Sequence, residues 1–140
     1  MLEFEIIGKP IGKARPRLGR YGTYTPQKTV NYESLISYTF TQKYPNFKPY
    51  EGEIKVKIEA IFEVPKSYSK KKRESLLPIP GIKYSGAGYP HKPDVDNITK
   101  IILDSLNGIT YKDDSQVTCL LIFKEYGEQA KVKVQIEEME

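Results

Sequence analysis

The chain has 140 residues, of which 39% are hydrophobic and 29% charged, and its formal net charge is +4 at neutral pH. These values predict one globular domain over residues 1–140. No apolar run approaches the ~20 residues that cross a bilayer, so no membrane partner is expected. The first ten residues contain two glutamates and do not resemble a secretion signal, which together with a single cysteine predicts a cytoplasmic protein.

Hydrophobic periodicity in the first half of the chain predicts a strand, a helix and a second strand. Residues 2–7 alternate between apolar and polar, which is typical of a strand. The stretch after them is rich in glycine and proline and predicts a loop or a bent hairpin. Thr25 as N-cap and Pro26 as first helical residue predict a helix that ends near Tyr44. Residues 53–64 alternate again and predict a half-buried strand.

The second half begins with the least regular stretch, residues 65–93, in which Ser69 marks the start of one short helix. A longer helix is predicted from Val95 to Leu106. Its isoleucines recur at helical spacing, and Gly108 is typical of a helix C-terminus. Two strands then follow, on either side of a turn at Gly127.

These last two strands complete the fold prediction. The apolar run around Cys119, VTCLLIF, predicts a buried strand whose thiol is an inert core residue. Residues 130–138 alternate and predict a strand with one wet face. The element order β-α-β-α-β-β predicts an α+β (α/β layer) fold, with a mixed sheet of about four strands and two main helices.

The acidic residues are unevenly distributed, because every aspartate of this basic chain lies between residues 92 and 117. The five are Asp94, Asp96, Asp104, Asp113 and Asp114. At ~100° per residue, Asp96, Lys100 and Asp104 share one stripe of the predicted helix, and Asn97 lies beside that stripe. If the following strand runs back along the helix, Asp114 faces Asp94 and Asp96.

Carboxylates that lie this close repel one another unless one is protonated or a cation lies between them. Mg²⁺ prefers oxygen ligands and binds a few carboxylates together with substrate phosphate oxygens. Lys100, one turn after Asp96, is placed to neutralise charge that develops on a phosphate. The aspartate window therefore predicts a Mg²⁺ site for phosphate chemistry.

The same residues also have a structural interpretation. Asp94 and Asp96 suit the start of a helix, and Asp113 and Asp114 suit a turn. Asp96 and Lys100 would form a solvated i,i+4 pair worth ~0.3–0.5 kcal/mol. The absence of aspartate elsewhere favours one shared site over several unrelated structural roles. A single histidine and a single cysteine argue against zinc chemistry.

A second uneven feature is the interval between Glu5 and Glu33, which has no acidic residue and interleaves basic residues with tyrosines. Arginine binds phosphate through paired hydrogen bonds, and aromatic rings stack on exposed bases. The sequence therefore predicts nucleic-acid contact at Lys9, Lys13, Arg15, Arg17 and Arg20. The run Lys70, Lys71, Lys72 and Arg73 is either a second contact or a solvated face. A phosphate-binding surface beside a metal site is the layout of a nuclease.

Two segments of the aspartate window, PDVDNITKIILDSLNG and YKDDSQV, resemble the RusA family of Holliday junction resolvases, which prophages often carry. The family signature is D-x-D-N, a lysine four residues after the second aspartate, an aspartate four residues further, and a downstream D-D-x-Q. The matching residues are Asp94, Asp96, Asn97, Lys100, Asp104, Asp113, Asp114 and Gln116. The segments GKPIGKARPR and YTPQKTVNYE resemble Gram-positive members of the family.

This resemblance implies a Mg²⁺-dependent endonuclease that cuts four-way DNA junctions as a homodimer in recombination and repair. Mn²⁺ is expected to substitute for Mg²⁺. It implies that Asp94, Asp96 and Asp114 are metal ligands and that Lys100 is the essential catalytic lysine. Asn97, Asp104 and Asp113 are expected to support those ligands. The choice of Asp114 over Asp113 as ligand rests on the resemblance alone.

Two other functions are compatible with the residues. A non-catalytic protein that binds DNA structures would use the acidic residues as caps, and would need no metal. A metal phosphohydrolase with a small substrate would not need so many phosphate-binding residues in the N-terminal segment. Comparing duplex, flap, fork and junction substrates separates these alternatives.

Overall fold

Four strands form one mixed sheet in the computed structural model of the chain, which describes residues 1–77 and 88–139. The strands are β1 (Leu2–Ile7), β4 (Ile54–Glu63), β5 (Val117–Gly127) and β6 (Lys131–Glu138). β6 lies antiparallel between β1 and β4, and β5 pairs with β4 in parallel. The predicted α+β fold with a mixed four-stranded sheet is confirmed. Residues 78–87 of the stretch predicted to be irregular lie outside the described residues.

Three helices accompany the sheet: α1 (Gln27–Lys43), α2 (Lys70–Leu76) and α3 (Val95–Leu106). α1 and α3 pack on one face of the sheet, against the alternate residues that β1, β4 and β6 bury. α3 has the predicted bounds, but α1 begins after Pro26, so the prediction of Thr25 as its N-cap was wrong. Pro26 has extended ψ and makes no side-chain cap. No described helix is long and apolar enough to cross a membrane.

β5 differs from its prediction as a buried strand. Among the described residues it pairs with β4 alone, which makes it an edge strand. Leu120 and Leu121 are 40% and 41% exposed, and Cys119 is half-buried instead of lying in the core. The apolar run identified a strand correctly, but hydrophobicity does not determine whether a strand has one neighbour or two.

The predicted hairpin forms from β2 (Arg17–Gly19) and β3 (Gly22–Tyr24), which pair antiparallel. Every residue of both strands is exposed, and Tyr21 in the connecting turn is 94% exposed. The hairpin therefore presents its side chains to solvent and adds little to the core.

The segment before the hairpin is fixed against the start of α3. The backbone N–H of Lys13 donates to the carbonyl of Asn97 at 2.9 Å. A Cβ on Gly12 would lie 2.8 Å from Cβ of Pro93 and 2.9 Å from Cβ of Asn97, so only glycine permits this close approach. The basic segment thus lies directly beside the N-terminal turn of the helix that carries the aspartates.

Candidate active site

α3 separates a buried face from an exposed face that lines a cleft. Its isoleucines at 98, 101 and 102 are fully buried, whereas Asp96, Lys100 and Asp104 line a cleft of about 530 Å³ between α3 and β5. Apolar side chains of both elements complete the cleft wall: Val95, Leu103, Leu120 and Ile122. The predicted stripe of two carboxylates and one ammonium therefore faces a single concave surface.

Asp114 reaches the same cleft from the β5 side. It begins a 3₁₀ helix, Asp114–Gln116, immediately before β5. Asp113 is the N-cap of that turn, and its carboxylate accepts a hydrogen bond from the backbone N–H of Ser115 at 3.1 Å. Hydrogen bonds from the side chain and the backbone N–H of Ser115 lower the pKa of Asp113. The structure therefore uses Asp113 as a cap and places Asp114 on the cleft.

The pKa of Tyr111 is affected by the negative charge around the cleft. Its buried hydroxyl donates to the carbonyl of Leu103 at 2.5 Å. Burial raises the pKa of this phenol, and the negative charges of Asp114, Asp104 and Asp113 raise it further. Tyr111 thus remains a hydrogen-bond donor, and the aspartates of helix and turn act on one common group.

Asp94 lies on an adjoining groove instead of this cleft. It holds the N-cap position of α3, yet its side chain makes no cap hydrogen bond. Its carboxylate lies 3.2 Å from the ammonium of Lys92, and both side chains are substantially exposed. Asp94 lines the groove together with Asn97. The structure therefore groups Asp114 with Asp96 and Asp104 on the cleft, whereas Asp94 lines the adjoining groove.

The acidic residues have the right chemistry for Mg²⁺, although they do not form a closed cage. Within residues 1–77 and 88–139, no three Asp, Glu, His or Cys side chains lie close enough to hold one ion together. Mg²⁺ usually binds through one or two carboxylates and completes its octahedron with water and substrate phosphate. Asp96 and Asp114, on opposite walls of one cleft, match that requirement.

The adjoining groove is basic. It has a volume of about 390 Å³, and five of its lining residues are cationic: Lys9, Lys13, Arg17, Lys28 and Lys92. Lys9, Lys13 and Arg17 were predicted from the sequence as nucleic-acid contacts. Lys28 was noted in the same basic interval without being assigned a contact, and Lys92 was missed. Lys28 had a usable signal, because it lies in the same acid-free interval as the predicted residues.

The second basic run has a different setting. Lys70, Lys71, Lys72 and Arg73 form the exposed first turn of α2, which Ser69 caps by accepting from the N–H of Lys72 at 3.2 Å. Lys70 and Arg73 line a separate depression together with three glutamates: Glu63, Glu74 and Glu128. Among the described residues, none from α2 lines the acidic cleft or the basic groove.

Comparison with known proteins identifies the family. The family model described as "Endodeoxyribonuclease RusA" matches residues 8–137, which include the basic segment, the cleft and all but the first strand of the sheet. The chain belongs to the RusA endodeoxyribonuclease family. Its sequence is also 30% identical over 142 residues to the "Uncharacterized protein YqaN" of Bacillus subtilis (strain 168), with 99% of this chain and 96% of that protein covered.

Within this RusA-family fold, Lys13 has a partner inside the protein. Its ammonium lies 2.9 Å from a carboxylate oxygen of Glu33 on α1 and 3.5 Å from one of Asp104 on α3. Burial acts to lower the pKa of Lys13, but the two carboxylates outweigh it, and the net shift is upward. Lys13 therefore ties the N-terminal segment to both helices, whereas the sequence alone had predicted a DNA contact.

Lys124 was not identified by sequence reasoning. From β5 its ammonium donates to the carbonyls of His91 at 2.8 Å and Pro93 at 3.1 Å. These carbonyls belong to the loop that immediately precedes Asp94. A single lysine at the end of an apolar strand gives no signal in the sequence for such a contact, because its acceptors are 31 to 33 residues away.

The different settings of Lys13 and Lys28 predict different effects on DNA binding by this RusA-family protein. Lys28→Gln is expected to remove one phosphate contact, so the slope of log Kobs against log salt should become shallower by about 1. Lys13→Gln should leave that slope unchanged and lower the free energy of unfolding by about 1.5 kcal/mol, as for the loss of a charged hydrogen bond. Salt titration of junction binding and urea denaturation measure the two quantities. Equal slopes for the two variants would contradict the assignment.

Proposed function

We propose that this RusA-family protein is a Mg²⁺-dependent endonuclease that cuts four-way DNA junctions in recombination and repair. The observation that carries the proposal is one cleft lined by Asp96, Asp114 and Lys100, next to a groove lined by five cationic residues. A polyanionic backbone in the groove would bring a phosphate beside the carboxylates. Endonuclease activity itself is the activity of the family.

Each residue of the cleft has a role in this proposal. Asp96 and Asp114 hold Mg²⁺ or Mn²⁺, and Asp94 lines the adjoining groove. The bound ion supplies Lewis-acid stabilisation of the phosphate and a means of activating water. Lys100 contributes a positive charge on the same wall as Asp96 and neutralises charge on the phosphate oxygens. Asp113 keeps the turn in place, and Asp104 keeps Lys13 docked.

The basic groove and the hairpin form the proposed DNA-binding surface. The groove contacts the phosphate backbone through side chains that include Arg17 and Lys28, and exposed Arg15 extends this contact. The guanidinium of Arg20 lies 5.7 Å from the centre of the Tyr21 ring. An exposed aromatic ring beside an arginine suits an unstacked base, which a branch point offers and continuous duplex does not.

Two symmetric nicks across a junction require two active sites related by a two-fold axis. We therefore propose that the protein acts as a homodimer. Light scattering of the purified protein, alone and bound to one junction, measures the mass of the assembly. A complex with one protein chain per junction would contradict this part of the proposal.

The decisive experiment uses one set of DNA substrates of equal length: four-way junction, replication fork, flap and linear duplex. With Mg²⁺ or Mn²⁺, the wild-type protein should nick opposing strands of the junction and leave the duplex intact. Chelation by EDTA should stop cleavage without abolishing binding. Equal cleavage of duplex and junction would contradict junction selectivity, and cleavage in EDTA would contradict the metal requirement.

A second candidate function is non-catalytic binding of branched DNA. It is favoured by the finding that no three metal-binding side chains converge within the described residues. This candidate predicts salt-sensitive junction binding and no nicking at any Mg²⁺ or Mn²⁺ concentration. The same substrate set therefore decides between the two functions.

A further inference from the structure

The side chain of Gln116 makes an unusually complete set of hydrogen bonds. Its Oε1 accepts from the backbone N–H groups of Lys112 at 2.8 Å and Asp113 at 3.0 Å. Its Nε2 donates to the carbonyls of Tyr50 at 2.9 Å and Gly52 at 2.8 Å. Both lone pairs and both protons of the amide are thus used, and all four partners are backbone groups.

These hydrogen bonds join two segments that no strand ladder joins. Residues 110–116 carry Asp114 to the cleft, and residues 50–53 lead into β4. Backbone contact between them consists of an isolated bridge between Tyr50 and Tyr111 and a 2.9 Å hydrogen bond from Tyr50 N–H to the carbonyl of Thr110. The amide of Gln116 adds a side-chain connection between the residues that precede the 3₁₀ turn, Lys112 and Asp113, and the carbonyls of Tyr50 and Gly52.

We propose that Gln116 is a positioning residue that fixes the Asp114 carboxylate on the cleft by fastening its turn to residues 50–52. This inference rests on the proposed metal-dependent function. The geometry demands an amide of this length. Glutamate would place a carboxylate against the carbonyls of Tyr50 and Gly52, and alanine would leave four backbone groups without their partner.

Substitution of Gln116 is expected to raise the Mn²⁺ requirement of cleavage and to leave DNA affinity nearly unchanged. Gln116→Ala and Gln116→Glu should raise the Mn²⁺ concentration for half-maximal junction cleavage by about 10–100-fold, the usual effect of removing a group that orients a metal ligand. Junction affinity in EDTA should stay within about 2-fold of wild type, because Gln116 does not line the basic groove.

A matched control is Thr118→Val, which removes the 2.6 Å hydrogen bond from Thr118 to Glu53 in the same region. It should lower thermal stability without changing the Mn²⁺ concentration for half-maximal cleavage. If Thr118→Val shifts the Mn²⁺ dependence as much as the Gln116 variants do, Gln116 is structural and the inference fails.

Direct Mn²⁺ binding, measured by electron paramagnetic resonance, separates this inference from the proposed function. A wild-type protein that binds Mn²⁺ but cuts no DNA contradicts the proposed function, and weaker Mn²⁺ binding by the Gln116 variants still supports the inference. Wild-type cleavage combined with unchanged Mn²⁺ binding in both variants contradicts the inference alone. A wild-type protein without Mn²⁺ binding contradicts both.

Discussion

Asp114→Asn is expected to lower junction cleavage by at least about 100-fold, because even groups that only orient a metal ligand cost 10–100-fold when removed. Asp114 lines the cleft opposite Asp96, and an amide binds Mg²⁺ less well than a carboxylate. Junction affinity should be equal or higher, since one negative charge near the DNA phosphates is lost. Single-turnover cleavage and a mobility-shift titration measure the two effects.

Asp113→Asn is the matched control for this substitution. It should retain most of the cleavage activity, because asparagine also caps a turn through its side-chain oxygen, and should lower stability only through loss of the charged acceptor. The pKa of Asp113 is lowered in the folded state, so its contribution is present above the unfolded pKa of ~3.9 and is lost as pH falls through the folded value. The stability difference between Asp113→Asn and wild type should therefore shrink on acidification. Inactivity of Asp113→Asn together with full activity of Asp114→Asn would reverse the assignment.

Lys100→Met is expected to lower kcat by about 100-fold or more, as for removal of one group that stabilises transition-state charge. KM should change little, because Lys100 lies on the cleft and not among the cations of the groove. Steady-state kinetics over a range of junction concentrations separates the two parameters.

Lys48→Met removes an equal charge at an exposed position that lines neither the cleft nor the groove, and should leave kcat unchanged. The comparison therefore separates local catalysis from a general change in net charge. Equal losses in kcat for the two variants, or a loss in affinity alone for Lys100→Met, would exclude the catalytic role.

The parts of the site that lie on one helix could be predicted from the sequence. The isoleucines of α3 recur at helical spacing and Gly108 is typical of a helix C-terminus, so the bounds of the helix and the stripe of Asp96, Lys100 and Asp104 could be predicted. In the structure Gly108 has the expected positive φ, +77°. The position of Asp94 did not follow. It is the N-cap with extended ψ, so helical periodicity does not apply to it.

The roles of other residues depend on partners that are distant in the chain. Lys13 belongs to a basic interval that suggested DNA, but Glu33 and Asp104 occupy its ammonium. Gln116 was noted as part of a signature, yet its acceptors Tyr50 and Gly52 are 66 and 64 residues away. No local pattern encodes such pairings, because they arise only when β4 and the 3₁₀ turn come together.

The order of the strands also determines when the sheet can form. β6, the last strand along the chain, separates the first strand from β4 and is hydrogen-bonded to both. A nascent polypeptide whose final strand is still inside the ribosome has no bonded neighbour for β1, and its central sheet is incomplete. The four-stranded sheet is therefore expected to form only after residues 131–138 are free to pair with both of their neighbours.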